Sequence, residues 1–313
     1  MGEQISFPDE YQRLLRQADL AIAQADFLLA EKQLKKAYQL MADFALNLRL
    51  TKMLEKNGAY QAALALADEY YGHYFQEQVT FEHYFHLLLL NRQFLTAKKY
   101  LHLGETHAKS TRHLAEELTL LEEVQKLLSQ DEEVNKRQLL EQMCQAQQPI
   151  TTKQWCDFSE GMTCAQFVRL VQVVLIKELN PFLRPKLVEE LVKLKVSTPI
   201  EVQDLWGVQQ QVIPANLPLP QDVPLLKQTL ALLEEQLAQT DPQLAEGIAQ
   251  EITAHVSLSY PVMFEKIEPA LWLQSYYADY QAFLPERFHG CVKNEAALLA
   301  CQKIKQDLRN LFG

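Results

Sequence analysis

Glycine is scarce in this sequence: nine residues in 313, no two of them adjacent. A glycine-rich strand-to-helix loop that cradles phosphate is therefore excluded, and no G-x-S-x-G turn is present to expose a nucleophilic serine. The five cysteines, Cys144, Cys156, Cys164, Cys291 and Cys301, show no CxxC spacing, so neither a disulfide framework nor a zinc knuckle is suggested. Reduced thiols in a cytoplasmic protein fit that usage. Cys156 and Cys164 are expected as buried structural residues rather than as a thiol site with His255 or His289.

Long apolar runs are missing too. The longest, such as Phe167 to Ile176 and Leu87 to Leu90, are far too short to span a bilayer. The start, Met1-Gly2-Glu3-Gln4-Ile5-Ser6, lacks the basic and apolar profile of a signal peptide. It fits the acylation pattern M-G-x-x-x-[ST], but so short a pattern recurs by chance and Glu3 is an unfavourable neighbour. The expectation is a soluble cytoplasmic protein with no membrane contact.

Basic charge is in deficit, with 30 Lys and Arg against 40 Asp and Glu for a net charge of −10. The excess is even: residues 1–148 hold 16 basic and 21 acidic side chains, the rest 14 and 19. Proteins that neutralise phosphates show a basic stripe. None is present, so no nucleic-acid partner is expected. At 48% apolar and 22% charged the composition is that of a globular chain, and the length suggests about two domains.

Proline marks the division. Only Pro8 precedes Pro149, and the stretch between carries apolar residues at i, i+3, i+4 spacing, the pattern of consecutive helices. An internal repeat places the turns. Phe27-Leu28-Leu29-Ala30 is followed 33 residues later by Tyr60-Gln61-Ala62-Ala63, and Phe94-Leu95-Thr96-Ala97 comes 34 residues after that. The same register gives Leu34 with Ala37, Ala67 with Tyr70, and Leu101 with Gly104. Turn-compatible residues, Asn57-Gly58-Ala59 and Asn91-Arg92-Gln93, stand ahead of two of these aromatics. The reading is a helix hairpin: the aromatic opens the second helix, and the alanine lets two backbones approach closely.

A period of 33–34 is that of the tetratricopeptide repeat, and Gly58-x-Tyr60-x-x-Ala63 and Phe94-x-x-Ala97 resemble that family's turn and second helix. In the preceding helices Leu14, Ala18 and Ala21, then Leu50 and Leu54, then Phe81, Tyr84 and Leu88 match its packing pattern. The departures are a missing tryptophan, Asn47 at one packing position and no proline closing any repeat. The match covers residues 9–107. Thr111 to Ser129 and Glu132 to Gln148 read as two further helices without the motif, a pair that caps the array.

Beyond Gln148 helices alternate with proline-marked turns. Thr163-x-x-Gln166 is a capping box opening a helix to about Leu179. Asn180-Pro181 then starts a second helix to about Leu194. Ile200-Glu201-Val202-Gln203 and Val208 to Val212, flanking Asp204-Leu205-Trp206-Gly207, read as a β-hairpin. Further helices are expected near 223–239, 242–257, 264–283 and 293–311. The fold class is thus all-α, a tetratricopeptide-like helix-hairpin array (an α-solenoid) over 1–148, followed over 149–313 by a helical region with one β-hairpin near 199–213. This order is similar to repeat-containing proteins of low-GC Gram-positive bacteria, a resemblance that implies no activity.

The family resemblance implies a concave face of inner helices that binds peptides. The family's subsite for a C-terminal carboxylate falls on Leu15, Asp19, Arg49, Val79 and His83 here. Only Arg49 among them is a fixed cation and Asp19 repels a carboxylate, so that ligand is disfavoured. The same face is expected to present Arg16, Asp19, Arg49, Lys52, His83 and His86 as a mixed polar surface, either simply solvated or partner-binding. Six histidines, His73, His83, His86, His102, His107 and His113, crowd one segment. His83 and His86 share a helical face, but no HExxH accompanies them, and no metal or other cofactor is expected. Trp272, Tyr276, Tyr280 and Phe283 line one side of a helix, either packed inward or offered to a partner.

The leading expectation is a non-enzymatic scaffold for a protein or peptide partner. A small-ligand or signalling-peptide sensor is the alternative. A metal-dependent enzyme using the histidine-rich segment is the third.

Overall fold

The computed structural model describes residues 7–128, 130–146, 148–177, 180–203, 207–261, 267–280, 283, 301–302, 305–306 and 309. The Met1–Ser6 acylation pattern, the Asp204–Trp206 turn, His289 and Cys291 lie outside them. The chain divides into two compact units, Met1–Asp131 with Ser159–Cys164, and Glu132–Phe158 with Ala165–Gly313. This division does not follow the proline border after Gln148. The short return segment joins the first unit because Gly161 N donates to the Arg92 carbonyl at 2.9 Å and Cys164 N to Glu122 Oε1 at 2.7 Å.

The first unit is an array of helices: α1 (Phe7–Ala23), α2 (Phe27–Leu40), α3 (Phe44–Lys56), α4 (Tyr60–Asp68), α5 (Tyr71–Tyr74), α6 (Gln78–Leu90), α7 (Phe94–Thr106) and α8 (Arg112–Leu128). Helices α1 and α2, α3 and α4, and α6 and α7 pack as hairpins, with α2 on α3, α4 on α6 and α7 on α8 linking them. Ala30, Ala63 and Ala97 are each the fourth residue of their helix, and each is fully buried.

The turns repeat as closely as the helices. Ala25, Gly58, Arg92 and Ala108 all have left-handed φ, between 55° and 73°. At each, the next residue's N–H returns to the carbonyl five back: Asp26 to Ala21, Ala59 to Leu54, Gln93 to Leu88 and Lys109 to Gly104. This is the Schellman closure, which satisfies the carbonyls a helix end leaves open. Short α5 was not foreseen. It delivers Tyr74 to the core and sets Tyr71 and Phe75 among Tyr84, Phe81 and Tyr100.

The second unit holds α9 (Gln130–Gln145, from Glu132 on), α10 (Thr152–Ser159, to Phe158), α11 (Cys164–Leu175, from Ala165), α12 (Leu183–Lys193), α13 (Pro224–Leu233, continued by a π turn over Glu234–Ala238), α14 (Pro242–Ser259) and α15 (Pro269–Asp279). So α9, read from the sequence as half of the cap, groups here. The hairpin forms as expected from β1 (Ile200–Gln203) and β2 (Gln209–Val212), antiparallel with Ile200 opposite Val212. Ile200 and Val202 are buried, whereas Gln209 to Gln211 are exposed. Asn180, expected as a plain N-cap, does more. Its amide donates to the Met143 and Gln148 carbonyls at 3.2 and 2.9 Å, closing the end of α9, while its Oδ1 accepts from Phe182 N.

Of the aromatic stripe, Trp272 and Tyr276 are buried and Tyr280 is half-buried, so it packs inward along its first turns, whereas Phe283 stands exposed. Cys144, Cys164 and Cys301 are free thiols, and Cys156 is exposed rather than buried as expected. Of the last expected helix, the described residues 301, 302, 305, 306 and 309 are helical. No helix among the described residues is long and apolar enough to cross a membrane.

Candidate functional site

Arg16 and Asp19 lie one turn apart on α1, Arg49 and Lys52 on α3, His83 and His86 on α6. Because these pairs are 33 and then 34 residues apart, they occupy the same two positions in the first helices of successive hairpins. The structure joins them through cross-helix contacts. The Arg49 guanidinium pairs with Asp19. His83 Nδ1 lies 3.3 Å from Glu55 Oε2, back on α3. His86 Nε2 lies 3.1 Å from Glu117 Oε2, and His113 Nε2 3.3 Å from Glu82 Oε1, coupling α6 to α8. Arg16 is exposed and donates to the Gln12 carbonyl of its own helix at 3.3 Å.

Sequence reasoning missed Glu55, Glu82 and Glu117, and placed His113 only among the crowded histidines, without a partner. A signal existed for three of them: Glu82 and His86 are i, i+4 on one helix and His113 and Glu117 are i, i+4, in reverse order, on another. What the sequence does not state is that these two helices face each other.

His83 is not a surface ligand. At 8% exposure it belongs to a buried polar chain. Tyr38 OH donates to Glu69 Oε2 at 2.6 Å, and Asn47 Nδ2 donates to the Leu66 carbonyl at 2.8 Å and to Tyr38 OH at 3.3 Å. Tyr74 OH donates to Asn47 Oδ1 at 2.8 Å. Thr51 Oγ1 lies 3.1 Å from His83 Nε2. Burial, aided by the positive fields of Lys52 and His86, outweighs the Glu55 carboxylate and lowers the His83 pKa to about 4. The imidazole is therefore neutral at pH 7. Facing a carboxylate, Nδ1 carries the hydrogen, and Nε2 is left toward Thr51 Oγ1, whose hydroxyl also donates to the Leu48 carbonyl at 3.0 Å. Asn47, the polar residue at a packing position, is thus the hub of this chain: with both amide atoms bonded, it is satisfied where it is fully buried.

The other histidines are engaged separately. His102 Nδ1 sits 3.4 Å from Glu105, and His107 Nδ1 2.9 Å from the Leu103 carbonyl. Among the described residues no group of three or more His, Cys, Asp or Glu is placed to hold a metal ion. A cleft of about 480 Å³ in this unit lies at the turns, between Gly58–Ala62 and Leu90–Arg92, and none of the six candidate residues lines it.

In the second unit a further cluster went unforeseen. Lys305, 1% exposed, reaches the Ser275 carbonyl and Asp279 and lies over the Tyr276 ring. Arg309 donates to Glu251 Oε1 at 2.6 Å and to Asp279 Oδ2 at 2.7 Å. His255 Nδ1 is 2.8 Å from Tyr276 OH, and burial lowers its pKa to about 4. Two cations thus face two carboxylates, with Lys305 alone fully enclosed, which tethers residues 305 and 309 to α14 and α15. With its ammonium enclosed, Lys305 serves as a clamp.

Compared with family models, curated proteins and solved structures, the chain matches none.

Proposed function

We propose that the first unit is a non-enzymatic recognition scaffold of the tetratricopeptide type that binds a protein or peptide along its inner-helix face. The observation that carries this reading is the ladder of cross-helix pairs, Asp19–Arg49, Glu55–His83, Glu117–His86 and Glu82–His113. Each rung joins one inner helix to the next, so the face holds its side chains at fixed spacing before any partner arrives. Such preorganisation lowers the ordering cost of binding. His83 and its buried chain then act as the frame. Arg16, Lys52 and the half-exposed pairs meet the partner, with rigid helices supplying register.

The test compares capture by the intact chain with capture by an Arg16→Glu/Lys52→Glu double variant. Loss of a charge-assisted contact to the partner weakens binding about tenfold. A partner retained by the parent, weakened in the variant and protecting α1, α3 and α6 from hydrogen exchange supports the reading. A partner that binds both forms equally and protects other helices overturns it.

A further inference from the structure

The second unit contains a cleft of about 730 Å³ between α9 and α11. That lies within the size range of small-molecule sites, roughly 300–1,000 Å³. Asn180 ties the end of α9 to the loop that follows α11. The floor is apolar: Leu140 and Val174 are buried, and Val173 is left 57% exposed beside them. One end is closed by a rung across the two helices, Arg169 Nη2 to Glu133 Oε2 at 3.1 Å.

The charge around this floor runs against the acidic balance of the chain as a whole. The lining includes Arg137, Arg169 and Lys177 against Glu133 and Glu141, on a protein of net charge −10. Once the Arg169–Glu133 rung neutralises itself, two cations stand against one carboxylate. A bare apolar strip between a closed end and a cationic rim matches a molecule with one anionic group and one apolar tail.

We propose that the α9–α11 cleft binds a small amphiphilic carboxylate, a medium-chain acyl acid, with its head between Arg137 and Lys177 and its tail against Leu140, Val173 and Val174. A partner helix is the poorer occupant, because a rod running through the trough would have to displace that rung. A tail with a single charged end enters from the open side and leaves it intact. This inference is independent of the inner-helix face and survives if that reading fails.

The test is titration calorimetry on the full chain with decanoate, decanol and decyltrimethylammonium, each kept well below its micelle-forming concentration. The expected result is saturable binding of one decanoate per chain with a dissociation constant below about 1 mM, and affinity at least about tenfold lower for the cationic analogue. Arg137→Glu/Lys177→Glu should cost a similar factor, and Val173→Asp, in the path of the tail, should abolish binding. All three positions are exposed, so the variants should fold, which circular dichroism checks. The proposal is overturned if the three amphiphiles bind alike, if both variants bind decanoate as the parent does, or if decanoate shows no saturable binding. It is equally overturned if an acidic amphipathic peptide protects α9 and α11 from hydrogen exchange while decanoate does not.

Discussion

Asn91, at the end of α6, donates its side-chain amide to the carbonyl of Tyr60, the first residue of α4, at 2.9 Å. One repeat earlier Asn57 makes the same bond to Phe27 at 3.1 Å. Each asparagine therefore joins a hairpin to the one before it. Asn57→Ala and Asn91→Ala are each expected to lower unfolding free energy by about 1 kcal/mol, the net worth of a hydrogen bond in water-exposed settings. Denaturant titration measures this; no loss at either site means that the bonds do not hold the repeats together.

Tyr74→Phe keeps the ring and deletes only the hydroxyl that donates to Asn47 Oδ1. Both residues are fully buried, so water cannot replace the lost donor. Stability should fall by about 1–3 kcal/mol. Calorimetry on parent and variant decides it, and a neutral result would show that the buried chain is not continuous.

Acid should unfold the first unit through His83. Its folded pKa is lowered to about 4, whereas an unfolded histidine titrates near 6.5. The unfolded state therefore binds the proton first. Stability is full above about pH 6.5 and is lost as pH falls toward 4. In His83→Gln the drop between pH 7 and 4.5 should shrink by about 2–3 kcal/mol. Equal pH profiles for the two proteins would refute the assignment. His255, lowered in the same way, adds a second component in the other unit that this substitution leaves in place.

Ala25 and Ala108 adopt left-handed φ of 57° and 55° without being glycine. A Cβ in that region costs about 1–2 kcal/mol, of which extra freedom in the unfolded glycine variant takes back up to about 1. Ala25→Gly should thus raise stability by up to about 1 kcal/mol, seen as a higher Tm. Gly58→Ala should lower it by a similar amount.

Gly104 sits where a Cβ would overlap the Phe81 ring, which stacks on Tyr100 at 4.4 Å between centroids. Both rings are buried. Gly104→Ala gains about 1 kcal/mol of helix propensity but overpacks a full core at about 1–3 kcal/mol. A net fall in stability is the expected outcome in a thermal melt, and a rise would mean that the aromatic cluster is looser than its geometry.

What the sequence by itself determined is local. Helix after helix could be read from apolar spacing, and the Phe27, Tyr60 and Phe94 period located the turns, because a helix and its closure depend on residues within a few positions. The β-hairpin was legible for the same reason: Ile200, Val202 and Val212 alternate around a short connection. Tertiary structure decided everything that depends on who meets whom. It buried His83 and left His86 on the surface, although the two are three residues apart, because only one turns toward Thr51 and Glu55. It paired Glu82 and Glu117 with histidines 31 residues away along the chain and enclosed Lys305 among acids from two other helices. Such pairings are set by distance in space, and a charged residue carries the same letter whether its partner is found or missing.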